Sequence, residues 1–336
     1  MEVESGKFNI VCDGQFGSTG KGLLSSYIAI GNHITIAVSD AAPNAGHTFY
    51  SYGCKCIVKH LPVTGIIHKR TLMYLCPGAI IDPNVLLQEI KTFNVSTDRL
   101  AIHPRCAVIT ADDIGMERDI NSATTKLAST QSGVGSALAR KINRTAKLAE
   151  DCEPLKKYIK ELDLNWFMDN GCTVLMEVPQ GLDLSISSGL SYPYCTSREI
   201  TVSGAMSDAQ VHPSYLGKVA VSIRTFPIRV GNIVINGEEV GYSGPFYPDS
   251  VETSWEKLKV EPELTTVTKR IRRVATFSMI QYKRMLSMVK PDYILLNFCN
   301  YMEKNELLKL LEELPEVTHL GFGPKPENVY LNHYGQ

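Results

Sequence analysis

The stretch Asp13-Gly14-Gln15-Phe16-Gly17-Ser18-Thr19-Gly20-Lys21-Gly22 follows a short apolar run, Phe8 to Cys12, and leads into a helix-like segment from Leu23 to Ile30. Four glycines in nine positions, ending in Gly-Lys-Gly at a helix start, make a loop whose backbone N–H groups can converge on an anion while the lysine adds charge. The loop is a candidate phosphate cradle, with a ligand-free tight turn as the plain alternative. It departs from the P-loop pattern, because five residues separate Gly14 from Gly20 and Gly22 stands where a Ser or Thr would ligate magnesium. Further along, Thr265 to Arg273 reads T-T-V-T-K-R-I-R-R, with four cations in five positions, Lys269, Arg270, Arg272 and Arg273. Guanidinium groups grip carboxylates bidentately, so this segment suits an acidic ligand, or else forms a basic surface strip.

Such loops need strands to launch them. Strand-like runs at Phe8 to Cys12, Ile34 to Val38, Thr71 to Leu75, Thr173 to Met176, Val219 to Ile223 and Tyr293 to Leu296 alternate with helix-like runs. The helical candidates are Val85 to Phe93, Asp112 to Leu127, Thr276 to Met288 and Lys304 to Leu314. The alternation predicts an α/β fold with a mostly parallel central sheet flanked by helices. Residues 232–262, with Gly237, Gly241, Gly244, Pro245 and Pro248, read as a turn-rich insertion in a single domain spanning 1–336. Ligands are expected where the glycine loops leave the sheet edge.

At 336 residues, 44% hydrophobic and 21% charged, the chain can bury a sizeable core. A formal net charge of -1 gives no electrostatic case for nucleic acid or membrane as a partner. No apolar run reaches membrane-spanning length and Met1 to Lys7 lacks the parts of a signal peptide, so a cytoplasmic location is expected. Nine cysteines form no C-x-x-C pair, and Cys54-x-Cys56 lacks the second pair a zinc site needs. Reduced structural thiols are the better reading.

The glycine loop resembles the opening motif of adenylosuccinate synthetases, roughly Q-W-G-D-E-G-K-G-K, with Ser18-Thr19 replacing the acidic pair. Other matches follow in order: Asn44 to Thr48 with N-A-G-H-T, His60 to Ile66 with H-L-I-P-S-G-I and Glu177 to Gly181 with E-G-A-Q-G. Tyr192 to Ser197 resembles Y-P-Y-V-T-S, and Arg229 to Gly231 matches R-V-G. The resemblance implies a two-step ligase in which a nucleoside triphosphate phosphorylates the 6-oxygen of a purine nucleotide and L-aspartate then displaces the phosphate. It implies that Gly20, Lys21, Gly22, Gly46, His47 and Thr48 hold the triphosphate, with His47 and Lys21 stabilising the transferring phosphoryl group. Asn44, Ser129, Thr130, Gln180 and Thr196 would hold the acceptor nucleotide, with Arg144 reaching the phosphate of a partner subunit's nucleotide in a homodimer. Thr268, Arg270 and Arg272 would form the aspartate loop, Arg270 bridging toward the nucleotide sugar. Magnesium (Mg2+) is the implied cofactor, near Ser18 and Gly46.

Two departures from the family pattern carry sharper expectations. Ser18 stands where the family has the carboxylate base that takes the purine N1 proton, and an unaided hydroxyl cannot do this near neutral pH. Guanine carries a 2-amino group beside N1 that a carboxylate would crowd and a serine oxygen can accept. The chain thus resembles a phage branch of the family that joins aspartate to dGMP, with Asp13 or Asp40 as candidates for part of the lost base or magnesium role. An IMP-using synthetase or a non-catalytic nucleotide-binding homologue are the alternatives. The second departure is Leu296-Asn297-Phe298-Cys299-Asn300, which lacks the carboxylate that selects guanine in cellular members. An amide at Asn297 or Asn300 suits adenine, so ATP or dATP is the expected donor, with Gly323 and Pro324 beside the same base.

Overall fold

The computed structural model describes residues 1–51, 53–265 and 268–334. A nine-stranded sheet runs through the molecule. Its strands in chain order are β1 (Phe8–Asp13), β2 (Ile36–Ser39), β3 (Leu72–Leu75), β4 (Leu100–Ile102), β5 (Val174–Glu177), β6 (Leu216–Arg224), β7 (Tyr293–Asn297), β8 (His319–Gly321) and β9 (Val329–Leu331). In space the order is β9-β8-β7-β6-β1-β5-β2-β3-β4. Every neighbouring pair is parallel except the β8–β9 edge pair.

The strands are apolar on both faces because both faces are covered. Ile10 and Cys12 of β1, Val221 and Ile223 of β6, and Ile294 and Leu296 of β7 enter one core. The alternate residues Val11, Ala220 and Leu295 pack on the other face against Leu23, Leu24 and Ile28 of α1 (Lys21–Gly31). The period of two along β1, β6 and β7 thus divides the core into layers. All six strands expected from sequence lie in this sheet, while β4, β8 and β9 were too short to read. Among the described residues no helix is long and apolar enough to cross a membrane.

The expected helix Asp112 to Leu127 is instead two short helices, Ala111–Arg118 and Ala123–Lys126. Asp119 leaves helical geometry at φ -56, ψ 131, and Ser122 caps the second helix by accepting from the Thr125 N–H at 3.2 Å. Short polar side chains bond the nearby backbone in caps, which favours a break here over continuation. The helix expected from Thr276 begins at Met279, where Ser278 caps it. Residues 232–262 contain a hairpin, Ile233–Ile235 with Glu238–Gly241, turning through Asn236 (φ 52) and Gly237 (φ 84). Positive φ at both turn residues is the geometry for which Asn-Gly is preferred, a hairpin signal that the expectation of a mere turn-rich insertion passed over. Nearby, Arg273–Ala275 pairs with Ile228–Arg229 on one side and Glu252–Thr253 on the other.

Candidate active site

The glycine loop leaves the C-terminal end of β1, and its shape is set from beneath by Asp13. This buried carboxylate accepts from the N–H groups of Gln15 (2.9 Å), Gly17 (3.2 Å) and Thr19 (3.3 Å) and from the Thr19 hydroxyl (2.6 Å). Lys21 Nζ lies 3.3 Å from the same carboxylate and also donates to the Gln180 carbonyl. Asp13 is therefore the organiser of the loop rather than a replacement base, and it does not line the cleft. Gly20, at φ 99, starts α1 and lies so close to Asn297 that a Cβ would overlap the Asn297 amide. A Cβ at Gly22 would overlap the backbone carbonyl of Thr48, so this glycine lets α1 and the His47–Ser51 strand meet.

Above the loop is a cleft of about 380 Å³. Ser18, Lys21, Asn44, Gly46, His47, Ser129, Thr130, Gln180, Thr196 and Arg272 all line it, drawn from segments far apart in sequence. Ser18 is exposed there at φ 57, in the left-handed region. His47 Nδ1 lies 3.7 Å from Glu177 Oε2, and Glu177 is itself fixed by the N–H groups of Val63 (3.0 Å) and Thr64 (2.8 Å). Asn44 Oδ1 and Gln180 Oε1 are buried and have no hydrogen-bond partner among the described residues. Unpaired buried acceptors are costly, which suits them to donors on a ligand.

The arginine segment divides by role. Arg272 faces the cleft, and no described residue is hydrogen-bonded to its guanidinium; burial lowers its pKa to about 10 against the pull of Glu263. Arg270 instead donates to the carbonyls of Ala128 (2.8 Å) and Ser129 (3.0 Å) and to Thr268 Oγ1 (3.1 Å), and burial lowers its pKa. Thr268 bonds Thr265 at 2.6 Å. Neither Arg270 nor Thr268 lines the cleft, so they hold the segment against the Ala128–Ser129 wall of the cleft. Thr266 and Val267 of this segment lie outside the described residues. Arg273, its last cation, is spent on Glu252, at 2.7 and 2.6 Å. Arg144 is exposed at the end of the Val134–Ile142 helix and outside the cleft of its own chain.

Asp40, the second candidate base, is also turned away. It is buried and pairs with Arg198 at 2.6 Å, and burial, together with Asp208, pushes its pKa up to about 6. Glu117 and Arg229 line the cleft without a role read from sequence. Glu117 accepts from the N–H groups of Gly133 (2.7 Å) and Ser136 (3.2 Å); inside the helix expected there, nothing in the sequence marked it. Arg229, visible as part of R-V-G, stacks 4.5 Å from the Phe16 ring centre and donates to Ser243 O (2.7 Å) and Tyr194 O (3.0 Å).

The late-strand amides part company. Asn297 is buried, donates to Thr19 O at 3.1 Å and accepts from Phe298 N at 2.9 Å, so it clamps the glycine loop instead of presenting its amide to a base. Asn300 is exposed and lines a second cleft of about 330 Å³ with Cys299, Met302, Lys304 and Phe322 among others. Gly323 and Pro324 follow Phe322 but do not line that cleft.

The glycine loop at the C-terminal end of a parallel strand, the His47–Glu177 pair and Arg272, whose guanidinium has no hydrogen-bond partner among the described residues, suit a nucleotide-dependent ligase, and the sequence model of the adenylosuccinate synthetase family matches residues 10–166 and 145–313. The chain belongs to that family. It is 33% identical to the N6-succino-2-amino-2'-deoxyadenylate synthase of Salmonella phage PMBT28, over 97% of this chain and 98% of that protein. The synthase of the same description from Cyanophage S-2L is 36% identical, over 96% and 92%. The solved structure of the Cyanophage S-2L succinoaminodeoxyadenylate synthetase, bound to dGMP and to dATP as an energy donor, aligns with a TM-score of 0.88 at 34% identity. That alignment covers 97% of this chain and 95% of the other.

Proposed function

We propose that this protein joins L-aspartate to C6 of dGMP, using ATP or dATP, to give N6-succino-2-amino-2'-deoxyadenylate. The observation that carries the reading is Ser18, an exposed hydroxyl on the cleft wall where a carboxylate would meet the purine N1 edge. The phage relatives support it by their description and by the two nucleotides held in the solved neighbour.

In the first step the purine 6-oxygen bonds to the γ-phosphorus, the bond to the departing nucleoside diphosphate breaks and the N1 proton is lost. The glycine-loop N–H groups, Lys21 and His47 stabilise the charge on the transferring group, and Glu177 holds the His47 ring. In the second step the aspartate amine bonds to C6, the C6–O bond breaks with departure of phosphate, and the amine loses a proton. Arg272 grips the aspartate carboxylate bidentately. Asn44, Gln180, Thr130 and Thr196 orient the purine nucleotide, Ser18 accepts from the 2-amino group, and Arg144 serves the partner subunit's nucleotide in a homodimer. Asn300 meets the donor base.

Magnesium fits this cleft. Among the described residues no group of three or more His, Cys, Asp or Glu side chains could hold a metal alone. Magnesium, however, is ordinarily held by one or two protein groups together with phosphates and water. In this reading the Ser18 hydroxyl and the Gly46 backbone would hold the ion, which would supply positive charge against the phosphate oxygens.

The test offers dGMP, GMP or IMP separately with aspartate, magnesium and ATP or dATP, and identifies products by mass. The succino product from dGMP is expected, and Ser18→Asp should lower dGMP turnover by crowding the 2-amino group. Wild-type protein that converts IMP at least as well as dGMP rejects the reading.

A further inference from the structure

Arg224, the last residue of β6, is fully buried, and its guanidinium meets three segments of the site. Nη1 donates to the Ser18 carbonyl at 3.2 Å, and Nη1 and Nη2 donate to the two carboxylate oxygens of Glu263 at 3.2 and 2.6 Å. The guanidinium lies 3.9 Å from the Phe298 ring centre. Ser18 (φ 57) and Phe298 (φ 60) are both non-glycine residues in the left-handed region, a conformation that persists only where surroundings hold it. Arg224 supplies that hold to both.

Glu263 has two possible partners. It precedes the arginine segment, and its carbonyl accepts from the Arg272 N–H at 2.9 Å. Burial pushes its carboxyl up, but Arg224 and, to a lesser degree, Arg272 hold it below the ordinary range, so it is charged. Its side chain is hydrogen-bonded by Arg224 and by the Tyr301 hydroxyl (3.1 Å), while the Arg272 guanidinium, at the cleft, has no hydrogen-bond partner among the described residues. A buried pair is a poor stabiliser compared with well-packed apolar side chains, yet removing one partner leaves an uncompensated charge that seeks another.

We infer that Arg224 is a positioning residue that sequesters the Glu263 carboxylate, keeping it from capturing Arg272 and so keeping Arg272 free for the substrate carboxylate. The inference rests on the proposed role of Arg272. Without Arg224, Glu263 turns to the remaining guanidinium and competes with aspartate. Arg224 also holds Ser18 against the acceptor purine, which gives it a second effect of different origin.

The experiment is steady-state kinetics of the whole protein with the purine nucleotide that the wild type converts best. Arg224→Met should raise the aspartate KM about tenfold, within the coupling range of contacting residues. The double variant Arg224→Met with Glu263→Gln should bring the aspartate KM back toward wild type, because the competing carboxylate is gone. The acceptor KM, which depends on Ser18, should stay raised in both. If the methionine variant does not fold, Arg224→Lys, alone and with Glu263→Gln, should show the same pattern at smaller amplitude. A double variant with an aspartate KM as high as the single variant's overturns the inference. A wild type that prefers IMP to dGMP rejects the substrate reading alone, and the rescue is then read with IMP.

Discussion

Beneath the glycine loop, the chemistry rests on backbone. Asp13 collects the N–H groups of residues 15, 17 and 19, and Gly20 and Gly22 lack side chains because Asn297 and the Thr48 carbonyl occupy the space. Beside the late strands it rests on the direction of one amide, and there two asparagines three positions apart diverge. Asn297 faces inward to the loop and Asn300 outward to the smaller cleft. A motif that specifies backbone shape constrains its surroundings through sterics, whereas a side-chain motif leaves rotamer and neighbours undetermined.

The strongest challenge to this contrast is Arg272, a side chain in the first region. With its guanidinium free of described hydrogen-bond partners and aimed at the cleft, Arg272→Leu should cost on the order of 100-fold or more in kcat/KM for aspartate. Triphosphate binding should be nearly unchanged. An unaltered aspartate KM would mean that the cleft, like the late strand, carries cations whose chemistry the motif misassigns.

The contrast was only partly open to sequence. That the glycine loop, His47, Gln180, Thr196 and Arg272 belong to one cleft was legible because glycine spacing and motif order survive without knowledge of packing. The six strand-like runs between helix-like segments were legible because local apolar patterning alone marks a strand buried on both faces. Arg270 and Asn297 read as ligand groups, but neither lines the cleft: Arg270 Nη2 donates to the carbonyls of Ala128 and Ser129, and Asn297 donates to that of Thr19. Asp13 and Asp40 had suitable chemistry, but burial and partners more than 100 residues away for Asp40 decide its fate. Arg224 follows the apolar run Val219 to Ile223, and nothing in the sequence marked it, because its partner Glu263 is 39 residues downstream.

The two asparagines can be separated directly. Asn297→Ala should remove the clamp on the glycine loop, costing about 1–2 kcal/mol of stability and weakening ATP, dATP and GTP alike. Asn300→Asp should leave stability intact and shift donor preference toward GTP by roughly tenfold, since a carboxylate accepts from both guanine donors. Melting curves and initial rates with the three triphosphates at matched concentrations check both. Donor preference that changes in the Asn297 variant and not in the Asn300 variant would reverse the assignment.

The smallest effect concerns the buried charges behind the first region. Arg198 donates to the Asp40 and Gly78 carbonyls, at 2.6 and 2.8 Å, and lies two residues after Thr196, so the Asp40–Arg198 pair fixes the cleft wall from behind. Burial and the neighbouring Asp208 raise the Asp40 pKa from 3.8 to about 6. Folding therefore favours the protonated acid: its contribution is complete below the unfolded value and is lost as pH rises through about 6. Asp208→Asn removes one of the charges that raise Asp40 and should shrink this loss, narrowing the difference in Tm between pH 5 and pH 7.5 by about 1–2 °C relative to wild type. The comparison is of whole pH profiles, not of a single midpoint. Parallel profiles for the two proteins would show that Asp208 does not act on Asp40, and that the wall behind Thr196 is held by the Arg198 hydrogen bonds alone.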